Sequence, residues 1–112
     1  MAEPDLRTLL EHHVELFNEA VRSGDFDGFV QGFADDAVMR FDGLPVGPFR
    51  GRAAILEAYK NQPPMDTMAL MSYETAGEDA VRAQFEWDEG GSGRMFLRWS
   101  DGEVSELVIA FT

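Results

Sequence analysis

The chain has 112 residues, which is enough for one domain with a single hydrophobic core. Hydrophobic residues make up 45 % of it and aromatic residues 12 %, a composition that excludes an intrinsically disordered chain. Nine Lys and Arg against 21 Asp and Glu give a net charge of −12, which argues against nucleic acid and anionic membranes as partners.

Cysteine usage and hydropathy narrow the class further. No cysteine is present, so disulfides, thiolate catalysis and cysteine metal sites are excluded. The first twenty residues carry several acidic side chains and two histidines, which does not fit the apolar core of a signal peptide. No apolar run approaches the roughly 18 residues of a membrane span. We therefore expect a cytoplasmic protein.

The N-terminal third is predicted to be helical. Apolar residues from Leu6 to Val21 recur every three or four positions, which indicates an amphipathic helix. Pro4 suits its first turn, and the pair Ser23-Gly24 suits its end. Asp25 is expected to cap a short second helix, whose buried side is predicted to contain Phe26, Phe29, Val30 and Phe33.

The rest of the chain is predicted to be mainly strands. A first strand is expected to begin near Ala37 and end at Gly43, before a proline-rich turn over residues 43–48 and a third helix over residues 52–61. Strict alternation begins at Val81, and glycine-rich turns at residues 90–93 and 101–102 indicate hairpins. Residues 68–75 and 104–111 complete four late strands. This order indicates an α+β domain with a mostly antiparallel sheet.

Three segments carry a resemblance to a known family. Residues 23–28 (SGDFDG), 33–38 (FADDAV) and 49–55 (FRGRAAI) occur in the order and spacing of the NTF2-like superfamily. The chain most resembles its SnoaL-like and ketosteroid-isomerase-like branch. The resemblance implies one domain over residues 1–112, in which three helices pack in a curved sheet around an apolar pocket. It also implies a homodimer through the outer sheet face.

The resemblance does not fix the chemistry, because the superfamily includes isomerases, cyclases, epoxide hydrolases, dehydratases and non-catalytic modules. It places Phe17, Phe41 and Met95 where a ketosteroid isomerase has its oxyanion tyrosine, its base and its protonated acid. Tyr59 matches a supporting tyrosine on the third helix. Asp42 lies one residue from the base position, and this offset points it to the opposite face unless a β-bulge intervenes. The usual isomerase mechanism is therefore disfavoured.

The arginines of the late strands are not expected to form a catalytic site either. The epoxide hydrolases of the superfamily use an arginine between two aspartates, but Arg82, Arg94 and Arg98 alternate with core positions and are expected to face outward. Arg50 and Arg52 could attract an anion at the start of the third helix, or could pair on the surface with acids such as Asp35 and Asp36.

His13 and Tyr59 are the candidate polar groups of the pocket. His13 lies in the apolar stripe of the first helix, where a neutral imidazole could act as a general base or a hydrogen-bond donor. The alternative is a structural histidine that bonds to a backbone carbonyl or to Tyr59. Tyr59 is either a pocket hydroxyl or a residue at the rim of the core.

Six apolar residues are the candidate ligand contacts, and the same residues could instead fill the core: Phe17, Met39, Phe41, Phe85, Trp87 and Met95.

Two functional hypotheses follow from these residues. The first is a pocket for a small hydrophobic molecule, with His13 as base, Tyr59 as donor and Asp42 as a third polar group if proton transfer occurs. The second is a non-catalytic homodimeric binding or scaffolding module whose pocket is filled by its own side chains. No metal or cofactor is expected under either hypothesis, because His12 and Glu15 have no partner cluster elsewhere.

Overall fold

The computed structural model describes residues 5–111, and it begins with the predicted amphipathic helix. Helix α1 spans Leu6–Ser23, and the carboxylate of Asp5 caps it by accepting a hydrogen bond from the Thr8 amide at 2.8 Å. The helix ends at Gly24, whose φ of 76° is strained for other residues. Pro4, expected in the first turn, lies outside the described residues. No helix in the described range is long and apolar enough to cross a bilayer.

Two shorter helices and six strands complete the fold. The helices α2 and α3 span Asp27–Val30 and Arg52–Asn61. The strands are β1 (Phe33–Asp42), β2 (Phe49–Arg50), β3 (Met68–Thr75), β4 (Ala80–Trp87), β5 (Ser92–Ser100) and β6 (Glu103–Phe111). They form one curved, open sheet in the order β2-β1-β6-β5-β4-β3, in which only the β1–β6 pair is parallel. The predicted α+β class with a mostly antiparallel sheet is confirmed.

The first strand begins earlier than the sequence predicts, at Phe33 rather than near Ala37. Phe33 is therefore the first residue of β1 and not part of the second helix. The pairing of β1 with β6 is irregular here, because Phe33 pairs with Val104 whereas Val38 pairs with Glu106, which is only two residues further along β6. This irregularity turns Asp35 and Asp36 out to solvent and breaks the alternation that would reveal a strand.

Arg52 joins the start of α3 to the sheet. Its guanidinium donates two hydrogen bonds to the Phe33 carbonyl, at 3.0 and 2.8 Å, and forms ion pairs with Asp35 at 3.1 Å and Glu103 at 3.4 Å. The surface-partner interpretation therefore holds for Arg52, and this side chain is not free to bind an anion.

The helices pack directly against one half of the inner sheet face. In that half, fully buried side chains from the helices and the sheet form the core, among them Leu10, Val30, Phe33, Ile55, Val81 and Leu97. The other half is formed by the ends of β1, β4 and β6 and the start of β5, and it lines a cavity.

Candidate functional site

A cavity of about 770 Å³ lies between this second half of the inner sheet face and residues of α1 and α3, among them Phe17 and Tyr59. Its wall includes all six residues predicted as ligand contacts, which are Phe17, Met39, Phe41, Phe85, Trp87 and Met95. They occupy alternate positions on β1, β4 and β5, or the inner face of α1, so the period-two and helical patterns were sufficient to find them. Their contact with a ligand stays a prediction.

Other parts of the wall were not predicted from the sequence. Leu107, Ile109 and Phe111 on β6 line the cavity, and their alternation was a usable signal. Leu44 and Val46 at the mouth come from the proline-rich loop, where no periodicity exists to predict their direction.

Aromatic rings form a continuous wall along one side of the cavity. Phe85 meets Trp87 edge to face with ring centroids 5.1 Å apart. The Trp87 ring stacks on Phe111 at 6.4 Å, and Phe111 stacks on Phe41 at 6.2 Å. Gly93 of β5 pairs with Phe85 of β4 on one side and with Phe111 of β6 on the other. A Cβ there would approach Phe85 Cζ to 2.5 Å, so the glycine makes room for this wall.

His13 lies in the cavity wall at the boundary with the packed core. Its side chain is only 7 % exposed, and its ring is 5.1 Å from the Phe29 ring and 6.0 Å from the Phe33 ring. It makes no hydrogen bond among residues 5–111, so the alternative of a histidine bonded to a carbonyl or to Tyr59 is not supported. No buried side-chain nitrogen or oxygen of the described residues lacks a partner, so the unbonded ring nitrogens of His13 are open to the cavity. Burial, with a smaller contribution from the charge of His12, lowers the pKa of His13 from 6.5 to about 4. The imidazole is therefore neutral at physiological pH.

Tyr59 is the second buried polar group in the wall. Its ring stacks on Phe26 at 5.0 Å and meets the edge of Phe29 at 5.4 Å, so Tyr59 and His13 contact the same phenylalanine. The side chain is 6 % exposed and makes no hydrogen bond within the described chain. Burial raises the pKa of the phenol, which keeps the hydroxyl protonated and able to donate.

Asp42 is not brought together with these two residues. It is exposed and lies outside the cavity wall. The register shift of β1 falls before Val38, and pairing from Val38 to Asp42 is regular, so alternation turns Phe41 inward and Asp42 outward. The bulge that could have reoriented Asp42 is therefore in the wrong place. Arg82, Arg94 and Arg98 are exposed, as predicted.

One side of the mouth is held by hydrogen bonds between two loops. The Asp88 amide donates to the Thr67 carbonyl at 2.9 Å, and the Glu89 amide donates to Asp66 Oδ2 at 2.8 Å. The hydroxyl of Thr67 also donates to the Asp88 carboxylate. We call this arrangement the rim clasp. It fixes the loop before β3 against the β4–β5 hairpin.

The opposite side of the mouth is apolar and exposed. Leu44 and Val46 are 45 % and 41 % exposed, and both face the cavity. No group of three or more His, Asp or Glu side chains in residues 5–111 could hold a metal ion.

Comparison with protein families gives one match that covers most of the chain. Residues 14–107 match the model of the SnoaL-like domain. No curated protein matches the sequence significantly.

Solved structures share the fold at low sequence identity. A protein from Sphaerobacter thermophilus is 18 % identical with a TM-score of 0.72, and the match covers 96 % of each chain. A candidate polyketide cyclase from Sinorhizobium meliloti is 21 % identical (TM-score 0.65; 88 % of this chain and 93 % of that one). A candidate ketosteroid isomerase from Kribbella flavida is 18 % identical (TM-score 0.69; 93 % and 78 %).

Proposed function

Since the chain belongs to the SnoaL-like domain family, we propose that it binds a small hydrophobic molecule in the cavity, with His13 and Tyr59 as the hydrogen-bonding groups. The observation that carries this proposal is an apolar cavity containing two buried polar side chains that have no partner among the described residues. A volume of about 770 Å³ is within the range of small-molecule sites. No buried side-chain nitrogen or oxygen of the described residues lacks a partner, so the polar atoms of His13 and Tyr59 are open to the cavity, where a ligand oxygen or nitrogen would bond to them.

The same volume argues against a pocket filled by its own side chains. Native-density packing leaves few voids larger than a water molecule. Here Phe41, Trp87 and Phe111 stack on one another, Trp87 also lies 6.2 Å from the Phe17 ring of α1, and the space beside these rings stays open. The scaffolding hypothesis loses its main premise, although a non-catalytic binding protein is still compatible with the cavity.

A proton-transfer reaction of the isomerase or cyclase type is the chemistry that this pair of groups fits best. Neutral His13 would accept a proton from a carbon beside a carbonyl, while Tyr59 donates a hydrogen bond to the developing enolate oxygen. The imidazolium would then return the proton to another carbon of the same substrate. A pKa of about 4 makes His13 a weak base, but it also favours rapid return of the proton. Phe17, Phe41 and Met95 supply no substitute for the usual isomerase groups.

Native mass spectrometry of freshly purified protein tests the binding proposal. We expect a discrete adduct on the wild type, and weaker retention in His13→Gln and Tyr59→Phe, which alter the two polar groups. His12→Gln and Tyr73→Phe are matched controls, because both side chains are exposed and outside this cavity. Equal retention in all four variants would contradict the assignment of His13 and Tyr59.

Ultraviolet absorbance on a β,γ-unsaturated ketosteroid tests the chemical proposal. Turnover by the wild type should disappear in His13→Ala while the circular dichroism spectrum is unchanged. Unchanged turnover in this variant would remove His13 from the reaction, and the absence of wild-type turnover would leave no support for steroid isomerisation.

We also propose a homodimer through the outer sheet face. Phe96, Val108 and Ala110 form an apolar patch on neighbouring strands β5 and β6, and the Arg98 guanidinium lies 5.4 Å above the Phe96 ring. Mixed apolar and charged patches of this kind suit subunit contacts. Light scattering should give a dimeric mass that falls to the monomer in Phe96→Glu, and a monomeric wild type would contradict the proposal.

A further inference from the structure

The charged side chains of the cavity wall are confined to its mouth and have one sign. Asp66 and Glu89 line the mouth, and no Lys or Arg lines the cavity in the described part of the chain. Neither carboxylate forms an ion pair with another described residue. A ligand that enters the cavity therefore passes two carboxylates that the protein itself does not neutralise.

The rim clasp joins the loops of these carboxylates at the edge of the same cavity that the aromatic wall lines. One oxygen of Asp66 accepts the Glu89 amide at 2.8 Å, which joins the two residues. Glu89 lies in the hairpin that directly follows Trp87, and the Trp87 ring stacks on Phe111, whose side chain also lines the cavity. Carboxylates next to aromatic faces are the surroundings that an organic cation prefers, because the ring faces and the carboxylates both attract positive charge.

The interior supplies an independent indication that this space receives a ligand. His13 and Tyr59 are 7 % and 6 % exposed, line the cavity, and have no hydrogen-bond partner among residues 5–111. They are uncharged donors or acceptors in an apolar environment. The inside of the cavity therefore suits an uncharged apolar body with one polar atom, while only the mouth suits a charge.

We infer that the ligand class is a hydrophobic cation, whose apolar body fills the cavity and whose protonated amine or quaternary ammonium group lies against Asp66 and Glu89. This inference rests on the proposed binding function. Hydrophobic anions of the same size, such as fatty acids, are disfavoured because their carboxylate would face the same two residues within a chain of net charge −12.

Three pyrene derivatives that differ in charge test the inference: 1-pyrenemethylamine, 1-pyrenemethanol and 1-pyrenecarboxylic acid. Their affinities are measured by fluorescence anisotropy at low ionic strength. We expect the amine to bind about tenfold more tightly than the carboxylate, with the alcohol between them, since each partly exposed charge contact changes affinity by roughly two- to fivefold. The difference should shrink in about 0.5 M salt.

The variant Asp66→Asn/Glu89→Gln locates the selectivity at the mouth. The asparagine oxygen can still accept the Glu89 amide, so the rim clasp is preserved, and the ratio between amine and carboxylate should fall below about threefold. The control Asp36→Asn/Glu86→Gln removes the same charge from two exposed positions outside the cavity and should keep the wild-type ratio.

Some results of this experiment would contradict only the cation inference, and another would contradict the proposed binding function as well. Equal affinity for the three compounds, tightest binding of the carboxylate, or the same ratio in both double variants would overturn the cation inference alone. Binding by none of the three compounds would overturn the proposed function and the inference with it.

Discussion

The two halves of the inner sheet face differ in what covers them. In one half, Phe33, Val81 and Leu97 are fully buried beneath the helices. In the other half, Trp87 is half-buried and Phe111 is exposed, and their rings stack on each other and on Phe41. The same sheet thus continues from a packed core into a partly open cavity wall.

The difference shows that this fold does not bury all of its apolar surface in the core. A chain that only needed a core would gain about 25 cal/mol for every Å² of apolar surface that it covered. Here Phe85 of the cavity wall is buried, but Phe111 of the same wall stays exposed around a cavity of ligand size, and His13 and Tyr59 lie at the boundary between the halves. Exposed apolar surface of this kind is typical of binding sites and supports the proposed function.

Phenylalanines from the two halves should differ most in their contribution to stability. Phe33→Ala creates a cavity in the packed half and should lower the free energy of unfolding by about 3–5 kcal/mol. Phe41→Ala removes a half-buried ring next to existing space and should cost about 1 kcal/mol. Urea denaturation measures both values, and equal losses would show that the two halves are not packed differently.

The boundary residue His13 should make stability depend on pH. Burial lowers its pKa from 6.5 to about 4, so between these values the unfolded chain binds a proton that the folded protein does not. The stability is therefore complete above pH 6.5 and falls as the pH drops toward 4, by about 3 kcal/mol at the lower limit. Urea midpoints of wild type and His13→Gln, measured from pH 7 to pH 4, give the difference.

The carboxylates that titrate in the same range cancel in this comparison, because both proteins carry them. His12→Gln is the matched control, since His12 is exposed and adjacent in sequence. Its pH dependence should stay close to that of the wild type, because burial is the larger cause of the low pKa of His13 and the charge of His12 the smaller one. A His13→Gln curve parallel to the wild type would mean that His13 keeps its ordinary pKa and is not desolvated.

Gly93 tests how tightly the aromatic wall is built. In Gly93→Ala the new Cβ would lie 2.5 Å from Phe85 Cζ and 2.8 Å from the Ala110 carbonyl oxygen, so ring and backbone both have to move. We expect a loss of about 1–3 kcal/mol in the free energy of unfolding. Gly90→Ala in the exposed hairpin is a less crowded comparison, although its φ of 113° adds strain of its own. No loss in Gly93→Ala would mean that the wall is loosely packed.

The residues of the packed half and the strand residues that line the cavity could both be predicted from the periodicity of the sequence. Periodicity shows which side of an element faces inward, and it identified Phe85, Trp87 and Met95 as well as His13. It failed where pairing is irregular, as at the start of β1, where the register shift hides Phe33. It also could not show whether inward residues meet other side chains or empty space, because this depends on how far the helices extend over the sheet.

The two carboxylates at the mouth could not be predicted from the sequence. Asp66 and Glu89 are 23 residues apart and meet only because the rim clasp joins two loops. Neither loop has a period that predicts direction. Asp42, by contrast, was a candidate from its place in the chain, and regular alternation after Val38 places it outside the cavity.

The central claim is that the cavity beside the second half of the sheet receives a ligand. Methyl-labelled methionine spectra recorded during a titration with 1-pyrenemethanol test it directly, because Met39, Met68 and Met95 line the cavity and Met71 is an exposed control outside it. We predict ring-current shifts that saturate together for the methyl groups of Met39, Met68 and Met95 and leave Met71 unchanged. Shifts confined to Met71, or none at the cavity methyl groups, would contradict the claim.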